Sequence, residues 1–380
     1  MNIGYDAKRA FGNFTGLGNY SRSVIGIMAR FYPDNNYTLY TPPFKRYPSA
    51  DFLLKTCVTV KQPEGIWRTF HPLWRSFRLA SSIKNDKIDI FHGLSHELPY
   101  GIGRTGATSA VTMHDLIVLR YPHLYKPVDR KIYIPKYRYA CSNADLVIAV
   151  GRQTEKDLID LMGVDPKKIR TVYQGCDNRF RSRPADSDLT DVKRKYDLPD
   201  KYILNVGTIE PRKNLSAIVA ALRRLPDEIN LVAVGKPTEY IETVKREIKK
   251  FGLVDRVRFL HGVTFADLPA VYALASVFVY PSIFEGFGIP ILEALNMRIP
   301  TIAANTSSLP EAGGDAALYF DPDDSDTLAT HIGNVLDDSD LRKTMIEKGL
   351  AQAEKFSDRN VAASLNAVYS ELTSRRQIVD

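Results

Sequence analysis

Short apolar runs rich in β-branched residues recur along the chain and alternate with amphipathic segments. In the first half they read "MNIGYDA", "YTLYT", "IDIFHG", "SAVTMHD", "LVIAVG" and "IRTVYQG", and in the second half "YILNVG", "INLVAVG", "VRFLHGV", "VFVYPS", "PTIAAN" and "AALYFDP". Most lack a polar and apolar alternation and end in Gly, Asp or Pro, which is typical of parallel strands buried on both faces. The pattern predicts two doubly wound α/β units.

The length of the chain agrees with two domains, because 380 residues exceed what one ordinary core accommodates. Residues 181–200 are polar, charged and without a strand pattern, and we expect them to link a domain at 1–180 to one at 201–355. A final amphipathic helix, at about 356–380, is expected to pack back on the first domain. Ligands of such tandem units are expected in a crevice that faces the carboxyl ends of both sheets.

The overall composition is that of an ordinary globular protein, with 44% hydrophobic and 25% charged residues. No stretch has the length of a transmembrane helix, and the N-terminus lacks the pattern of a secretory signal, so we expect a cytoplasmic protein. Cys57, Cys141 and Cys176 are odd in number and widely spaced. They indicate neither a disulfide framework nor a zinc site.

The net charge of +7 is unevenly distributed. Residues 1–180 carry 26 basic and 15 acidic residues, whereas residues 181–380 carry 25 basic and 29 acidic residues. A basic first half suits nucleic acid, anionic lipid or a phosphorylated substrate, and charge alone does not choose among them.

A glycine cluster follows the first predicted strand in "FGNFTGLGNYSR", with glycines at 12, 16 and 18 and a helix expected from about Asn19. Glycines at such a place allow backbone N–H groups to approach a ligand, and a helix N-terminus favours an anion. The spacing is not that of a dinucleotide-binding fingerprint. A plain strand-to-helix turn explains it equally well.

Arg212 and Lys213 follow a strand that ends at Gly207, and they precede Asn214, which we expect to cap the next helix. Two cations beside a helix N-terminus repel that end of the helix dipole, whereas an anion between them is stabilised by both. We interpret the pair as a diphosphate site. The alternative is that both are solvated surface charges.

Glu285 and Glu293 bracket a glycine turn in "IFEGFGIPILEAL". The glycines free the backbone to present N–H groups, and Pro290 suits the first turn of the helix that follows. Glu293 lies about one turn inside that helix and is expected to reach the same crevice. A carboxylate accepts two hydrogen bonds from vicinal hydroxyls, which matches a sugar or a ribose.

The frame E-G-F-G-I-P-x-x-E-A resembles the E-x7-E signature of the family 4 retaining glycosyltransferases, which have the GT-B fold of two Rossmann-like domains. The resemblance covers nearly the whole chain. It includes "GNFTGLGNYSR", "VTMHDLIVLRYP", "GTIEPRKNL" and "LPEAGGDAALYFDP", in the family's order. The chain departs locally at Gln174 and Cys176, in the turn Gln174-Gly175-Cys176-Asp177 where the family reads N-G-V-D, and at Gly151, where Ser is usual.

The resemblance implies a role for each matching residue. The donor diphosphate would be held by Arg212 and Lys213, by the amides of Gly286, Phe287 and Gly288, and by a closing loop at Gly16, Leu17 and Gly18. Glu293 would bind the ribose, and Val263 and Thr264 would lie near the nucleobase. Glu285 and His114 would face the transferred sugar.

Three histidines lie near the carboxyl ends of predicted strands. His114, in "AVTMHD", could bond a sugar hydroxyl or support charge in an oxocarbenium-like transition state, or it could be a buried histidine bonded to backbone. His92 and His96 are not aligned by a helix and do not predict a metal site. They are expected to line an acceptor cleft or to be structural.

Residues 65–84 combine aromatic side chains, such as Trp67, Phe70 and Phe77, with several arginines. The pattern fits a segment that lies on anionic lipid, and it fits an ordinary packed helix equally well. Nucleic acid is a weaker interpretation, since no recognised binding motif accompanies the charge.

Taken with the resemblance, these features predict a retaining, metal-independent hexosyltransferase that needs no cofactor beyond its nucleotide-sugar donor. The segment "HDLIVLRYP" resembles bacterial mannosyltransferases of surface-polysaccharide assembly, which implies mannose from GDP-mannose, and then glucose from UDP-glucose, with a glycan or lipid-linked glycan acceptor in bacterial polysaccharide biosynthesis. We expect it at the inner face of the cytoplasmic membrane. The alternatives are a GT-B nucleotide-sugar epimerase and a non-catalytic sugar-binding protein.

Overall fold

The computed structural model describes residues 1–13, 16–44 and 56–379. The chain forms two compact units. The first contains Met1–Gln174 together with Asp358–Asp380, and the second contains Gly175–Ser357. The described residues form one parallel sheet in each unit, so the prediction of two doubly wound α/β domains is confirmed.

The sheet of the first unit has the strand order β3-β2-β1-β4-β5-β6-β7. Its strands are β1 Asn2–Asp6, β2 Asn36–Tyr40, β3 Val58–Lys61, β4 Ile90–Gly93, β5 Thr108–Met113, β6 Leu146–Ala149 and β7 Ile169–Thr171. The sequence pattern missed β3, whose residues are only partly buried and so lack a continuous apolar run.

The helices of the first unit connect these parallel strands. They are α1 Lys8–Gly12, α2 Gly16–Phe31, α3 His71–Leu73, α4 Leu79–Asn85, α5 Ile117–Arg120, α6 Pro127–Asn143 and α7 Arg152–Met162. A π-helical turn, Trp74–Arg78, joins α3 to α4. The sheet is buried, as parallel sheets covered by helices are: Ile3, Ile90 and Val111, for example, are fully inaccessible.

The sheet of the second unit has the order β10-β9-β8-β11-β12-β13. Its strands are β8 Tyr202–Val206, β9 Asn230–Val234, β10 Val257–Leu260, β11 Val277–Tyr280, β12 Thr301–Ala304 and β13 Ala317–Phe320. Its helices are α8 Asp186–Lys195, α9 Leu215–Leu222, α10 Tyr240–Lys250, α11 Leu268–Ala273, α12 Ile289–Asn296, α13 Leu309–Gly313, α14 Ser325–Asp337 and α15 Ser339–Glu354.

The expected linker at 181–200 is not an extended connection. The division between the units falls at Gln174 and Gly175 rather than after residue 180, and helix α8 occupies the middle of the segment. Leu189 and Val192, which lie one turn apart on this helix, are buried in the second unit. These two apolar side chains pack the helix on the unit although the rest of its sequence is polar.

The C-terminal helix, Asp358–Val379, belongs to the first unit. Tyr369 is fully buried, and its hydroxyl lies 2.8 Å from Nδ1 of His92 and donates to the hydroxyl of Tyr5 at 3.2 Å. Replacement of Tyr369 by phenylalanine would therefore leave buried polar atoms of His92 and Tyr5 without this partner, at a cost of about 1–3 kcal/mol each. Among the described helices, none is both long and apolar enough to cross a membrane.

Candidate functional site

The second sheet reverses its strand order between β8 and β11, which pair directly through Ile203 and Val277. In open parallel sheets, ligands bind outside the carboxyl ends of the strands at this switch point. The loop after β8 carries Arg212 and Lys213, and the loop after β11 carries Glu285. Topology thus brings three of the predicted site residues to one place.

The three side chains form a compact ionic cluster. Oε1 of Glu285 lies 2.8 Å from Nη1 of Arg212 and 2.6 Å from Nζ of Lys213. Lys213 also donates to the hydroxyl of Tyr280 at 2.6 Å, and Nη2 of Arg212 lies 2.6 Å from Oε1 of Glu210. The side chains of Glu285, Lys213 and Arg212 are only 13%, 14% and 17% exposed. The pair is therefore not two solvated surface charges, which was the alternative left open by the sequence.

The electrostatics of the cluster favour ionised groups despite burial. Burial by itself would raise the pKa of Glu285, but Lys213 and Arg212 outweigh it and lower that pKa below the ordinary range. Burial by itself would lower the pKa of Lys213, yet Glu285 raises it. The same cluster raises the pKa of Tyr280 to about 12, chiefly through burial and the charge of Glu285. The site is thus a desolvated set of two cations and a carboxylate.

The loop that carries the cations has a backbone different from the one expected. Pro211–Lys213 form a 3-10 turn, and Asn214 adopts a left-handed conformation with φ 52°. It occupies the N-cap position of helix α9 as predicted, but its side chain donates to the carbonyl of Pro322 at 2.9 Å and makes no capping hydrogen bond. Gly207 has φ +153°, and a side chain there would approach Cε of Lys213. That approach, at 3.6 Å, is an ordinary contact, so the positive φ rather than space for the lysine favours glycine here.

The loop that carries Glu285 is held by two serines that the sequence analysis did not identify. Glu285 N–H donates to Oγ of Ser307 at 3.0 Å, while Oγ of Ser308 lies 2.9 Å from the carbonyl of Glu285 and 2.6 Å from that of Phe287. Gly288 has φ +149°, which only glycine adopts readily, and helix α12 follows with Pro290 in its first turn as predicted. The Phe287 side chain is buried, so any ligand contact there would come from backbone.

Glu293 lies on helix α12 and is 8% exposed. The hydroxyl of Tyr272 donates to its Oε2 at 2.8 Å. Burial raises the pKa of Glu293 to about 7, although the Tyr272 hydrogen bond opposes the shift. The structure shows no direct contact between Glu293 and the cluster of Arg212, Lys213 and Glu285 among the interactions of the described residues.

The predicted nucleobase turn follows β10. Val263 is half-buried and Thr264 is exposed. The N–H of Thr264 donates to the hydroxyl of Tyr196 at 3.3 Å, and Asp267 accepts from both Tyr196 and Lys195 at 2.7 Å. The segment expected to be a linker therefore supplies the residues that fix this turn.

Gly16, Leu17 and Gly18 form the first turn of helix α2, which begins at Gly16 rather than near Asn19. A Cβ atom at residue 18 would lie 1.8 Å from the carbonyl oxygen of Asn13, whereas one at residue 16 would meet nothing within 4 Å. Close packing of backbone explains Gly18 without a ligand, and it does not explain Gly16.

His114 follows β5 in the first unit and is buried. Its Nε2 lies 2.9 Å from the carbonyl oxygen of Leu94, so this nitrogen carries the proton. Burial and the neighbouring His96 lower its pKa to about 3. The ring of Tyr20 packs edge-on against it, with centroids 4.5 Å apart. A neutral ring of this kind offers Nδ1 as a hydrogen-bond acceptor, and it does not supply a positive charge.

His92 belongs to a buried hydrogen-bonded chain rather than to a metal site. Its Nε2 lies 2.8 Å from Oγ1 of Thr112, which is 3.0 Å from the hydroxyl of Tyr20, and its Nδ1 contacts Tyr369. Within the described ranges, no three His, Cys, Asp or Glu side chains are grouped as a metal site would require. His92 is structural, which was one of the two expectations.

Comparison with known families agrees with this architecture. A family model described as Glycosyltransferase Family 4 matches residues 30–180, and one described as Glycosyl transferases group 1 matches residues 187–352. The first match lies within the first unit apart from its last six residues, and the second lies within the second unit.

Among similar proteins, the O-antigen chain mannosyltransferase B of Escherichia coli is 33% identical over 312 residues, which are 80% of this chain and 79% of that protein. The O-antigen chain mannosyltransferase RfbU of Salmonella typhimurium is 26% identical over 310 residues, covering 81% and 79% of the two chains. The solved structure of Anabaena Alr3699/HepE in complex with UDP superposes with a TM-score of 0.73 at 18% identity, covering 98% of this chain and all of that one. The chain therefore belongs to the group 1 glycosyltransferases of family 4, which have the GT-B fold.

Proposed function

We propose that this glycosyltransferase moves mannose from GDP-mannose to a hydroxyl of a glycan or lipid-linked glycan acceptor in bacterial polysaccharide biosynthesis. The observation that carries the proposal is the desolvated cluster of Arg212, Lys213 and Glu285 at the switch point of the second sheet. Two O-antigen mannosyltransferases, each matched over most of their length, support mannose as the transferred sugar. UDP-glucose is the second candidate donor, supported by the sequence resemblance alone.

In the proposed reaction, Arg212 and Lys213 stabilise the diphosphate as it leaves. The bond between C1 of the sugar and the phosphate oxygen breaks with its electron pair passing to phosphate, and two fixed cations offset the charge that develops there. The amides of Gly286, Phe287 and Gly288, with those of Gly16, Leu17 and Gly18, are proposed to contribute further donors. This arrangement requires no metal ion, because side chains and amides supply the positive potential.

Retention of configuration is proposed to follow from attack on the same face as the leaving group. The acceptor oxygen bonds to C1 while its proton passes to the departing phosphate oxygen, so no enzyme nucleophile is needed. Glu285 and His114 are proposed to bind hydroxyls of the transferred sugar. Glu285 is engaged by two cations, which makes it a poor nucleophile and a good hydrogen-bond acceptor.

The nucleoside is proposed to bind beside helix α12 and the turn after β10. Glu293 would accept hydrogen bonds from the ribose hydroxyls, with Tyr272 orienting its carboxylate. Val263 and Thr264 would lie against the base, on a turn fixed by Tyr196.

We further propose that the first unit contacts an anionic membrane, where a lipid-linked acceptor would be found. Trp74 and Leu79 are buried, so segment 65–84 packs on its own unit, as expected if it were an ordinary packed segment. The same segment also has exposed apolar and basic side chains, as expected if it binds anionic lipid. The exposed apolar residues are Ile66, Phe70, Leu73 and Phe77, and the exposed arginines are Arg68 and Arg78. Apolar groups rimmed by cations suit a negatively charged lipid surface.

A thermal-shift screen of GDP-, UDP- and ADP-sugars tests the donor assignment. A donor present at one hundred times its dissociation constant adds about 2.7 kcal/mol of stability. We expect GDP-mannose to give the largest shift, and stronger stabilisation by UDP-glucose would replace the GDP assignment. Incubation of GDP-mannose without an acceptor tests for isomerisation, because only an epimerase would convert the sugar nucleotide. Addition of an acceptor then separates a transferase from a sugar-binding protein, which would leave GDP-mannose unchanged.

A further inference from the structure

His96 adopts an unusual backbone conformation next to His114. Its φ is +62°, in the left-handed region that non-glycine residues rarely occupy. The two residues are each only 7% exposed, and their ring centroids lie 5.1 Å apart. Left-handed backbone at a buried non-glycine residue costs on the order of 1–3 kcal/mol and persists only where surrounding contacts hold it.

Those contacts tie His96 to the end of strand β5. The N–H of His96 donates to the carbonyl of Thr112 at 2.9 Å, and Nε2 of His96 accepts from the backbone N–H of His114 at 2.8 Å. The pairing of β4 with β5 ends at Gly93 and Val111. Beyond that point the His96 imidazole accepts the N–H of His114, as the carbonyl of a neighbouring strand would.

The two hydrogen bonds assign opposite tautomers to the two rings. His96 accepts at Nε2, so its proton is on Nδ1. His114 donates from Nε2 to the carbonyl of Leu94, so its lone pair is on Nδ1. No hydrogen bond to Nδ1 of His114 is formed within the part of the chain that the structure describes. The low pKa values of both rings, about 4 and about 3, keep them neutral at physiological pH.

We propose that His96 is a positioning residue for transfer: it fixes the backbone of His114 so that Nδ1 is held as a hydrogen-bond acceptor for a hydroxyl of the sugar substrate. The proposal deepens the role given to His114 above and rests on that proposed function. Of the roles that the sequence left open for His114, it favours the hydrogen bond to a sugar hydroxyl. A displacement of about 1 Å in such a group can cost on the order of a hundredfold in rate.

Kinetics of His96→Leu and His96→Gln provide the first test. Both replacements must adopt the same left-handed backbone, but only glutamine offers an acceptor in place of Nε2. We expect His96→Leu to lower kcat about 10- to 100-fold with little change in the donor KM, and His96→Gln to restore most of it. Full activity in His96→Leu, or no rescue by glutamine in a folded variant, would overturn the proposal.

A matched control separates positioning from loss of stability. Tyr37→Phe removes a different buried polar group of the same unit, a hydroxyl that donates to the carbonyls of Met28 and Tyr32. It is expected to lower the urea midpoint and to leave kcat within about twofold of the parent value, since a loss of about 1–3 kcal/mol leaves the protein folded. An equal loss of kcat in this control would count against a specific role for His96.

Histidine ¹⁵N NMR tests the geometry without any assay of transfer. We expect His96 protonated on Nδ1 and His114 protonated on Nε2, with the signals assigned through His96→Gln and His114→Asn. The reverse tautomer of either ring, or a doubly protonated ring at neutral pH, would overturn the proposal. If no donor supports transfer, the proposed function fails, while the tautomers still decide whether His96 holds His114 as inferred.

Discussion

Oε1 of Glu285 lies 2.6 Å from Nζ of Lys213, and the same oxygen is 2.8 Å from Nη1 of Arg212. The cations proposed to bind the donor diphosphate are thus already paired with the carboxylate proposed to bind the donor sugar. Together with Glu210, which also pairs with Arg212, this carboxylate offsets part of their combined positive charge. Glu285 therefore both orients the two cations and competes with phosphate for them.

This competition predicts that Glu285→Gln has opposite effects on binding and on chemistry. Loss of the carboxylate charge should tighten binding of the product GDP by about three- to tenfold, because Lys213 and Arg212 become available to phosphate. Replacement of the ionised acceptor of the sugar hydroxyl by a neutral amide oxygen, which accepts a weaker hydrogen bond, should lower the transfer rate at least about a hundredfold. Calorimetric titration with GDP and a transfer assay measure the two effects.

Glu210→Gln is the matched control for Glu285→Gln, because the Glu210 carboxylate also pairs with Arg212, whereas the ion pair of Lys213 is with Glu285. It should change the affinity for GDP less than Glu285→Gln does. Weaker binding of GDP to Glu285→Gln would show that the carboxylate supports the phosphate site instead of competing with it.

Replacement of Arg212 by alanine should weaken binding of the nucleoside diphosphate by about tenfold or more, since a charge-assisted contact to phosphate is lost. The affinity for the nucleoside alone should stay the same. Titrations of GDP and guanosine against wild-type protein and the variant make the comparison. An equal loss for both ligands would assign Arg212 to the nucleoside, and an unchanged affinity for GDP would remove it from the site.

The fold was largely predictable from the sequence, because twelve apolar runs marked twelve of the thirteen described strands. Parallel strands buried on both faces leave such a signal regardless of tertiary detail. Strand β3 and helix α8 were missed for the same reason: each is only partly apolar. Their packing depends on neighbours that no local pattern reveals.

The candidate site was predictable in its residues but not in its pairing. The position of Arg212 and Lys213 before a helix suggested that they bind an anion. Only the structure shows that Glu285, on the loop after β11, pairs with both of them. The capping role of Asn214 failed because the residue adopts a left-handed backbone. His96 was expected only to line a cleft or to be structural, and its hydrogen bond to His114 was not predicted, since a positive φ and a side chain bonded to a distant amide are tertiary properties.

The raised pKa of Glu293, about 7, predicts that nucleotide binding depends on pH. If the ionised carboxylate binds the ribose, affinity should rise by up to about tenfold from pH 6 to pH 8, as the group loses its proton. Titrations across this range measure the effect, and Glu293→Gln should abolish the pH dependence. A wild-type affinity that does not change with pH would contradict the ribose assignment.

The same group predicts a change in stability. The folded state holds the proton of Glu293 more tightly than the unfolded state, where the carboxyl has its ordinary pKa of 4.5. Its contribution to stability is therefore complete below about pH 4.5 and is lost as the pH rises towards 7. Relative to wild type, Glu293→Gln should be more stable at pH 8 than at pH 5, as measured by urea denaturation. An equal difference at both pH values would contradict the shifted pKa.

Contact of the first unit with anionic lipid is tested by vesicle sedimentation. The protein should bind vesicles that contain phosphatidylglycerol and should bind phosphatidylcholine vesicles much less. Phe70→Glu with Phe77→Glu should weaken binding at least about tenfold, because two apolar groups are lost and two negative charges are added. Val254→Glu changes an equally exposed apolar residue of the second unit and should have little effect. Equal losses in both variants would contradict the assigned surface.

The most direct test of the central claim is incorporation of labelled mannose from GDP-mannose into a glycan or lipid-linked acceptor fraction by wild-type protein and by Glu285→Gln. The account predicts incorporation by the wild type with retained anomeric configuration, and a rate lower by at least about a hundredfold in the variant, which still binds GDP. Incorporation by Glu285→Gln at the wild-type rate, or no incorporation by the wild type from any GDP- or UDP-hexose, would contradict it.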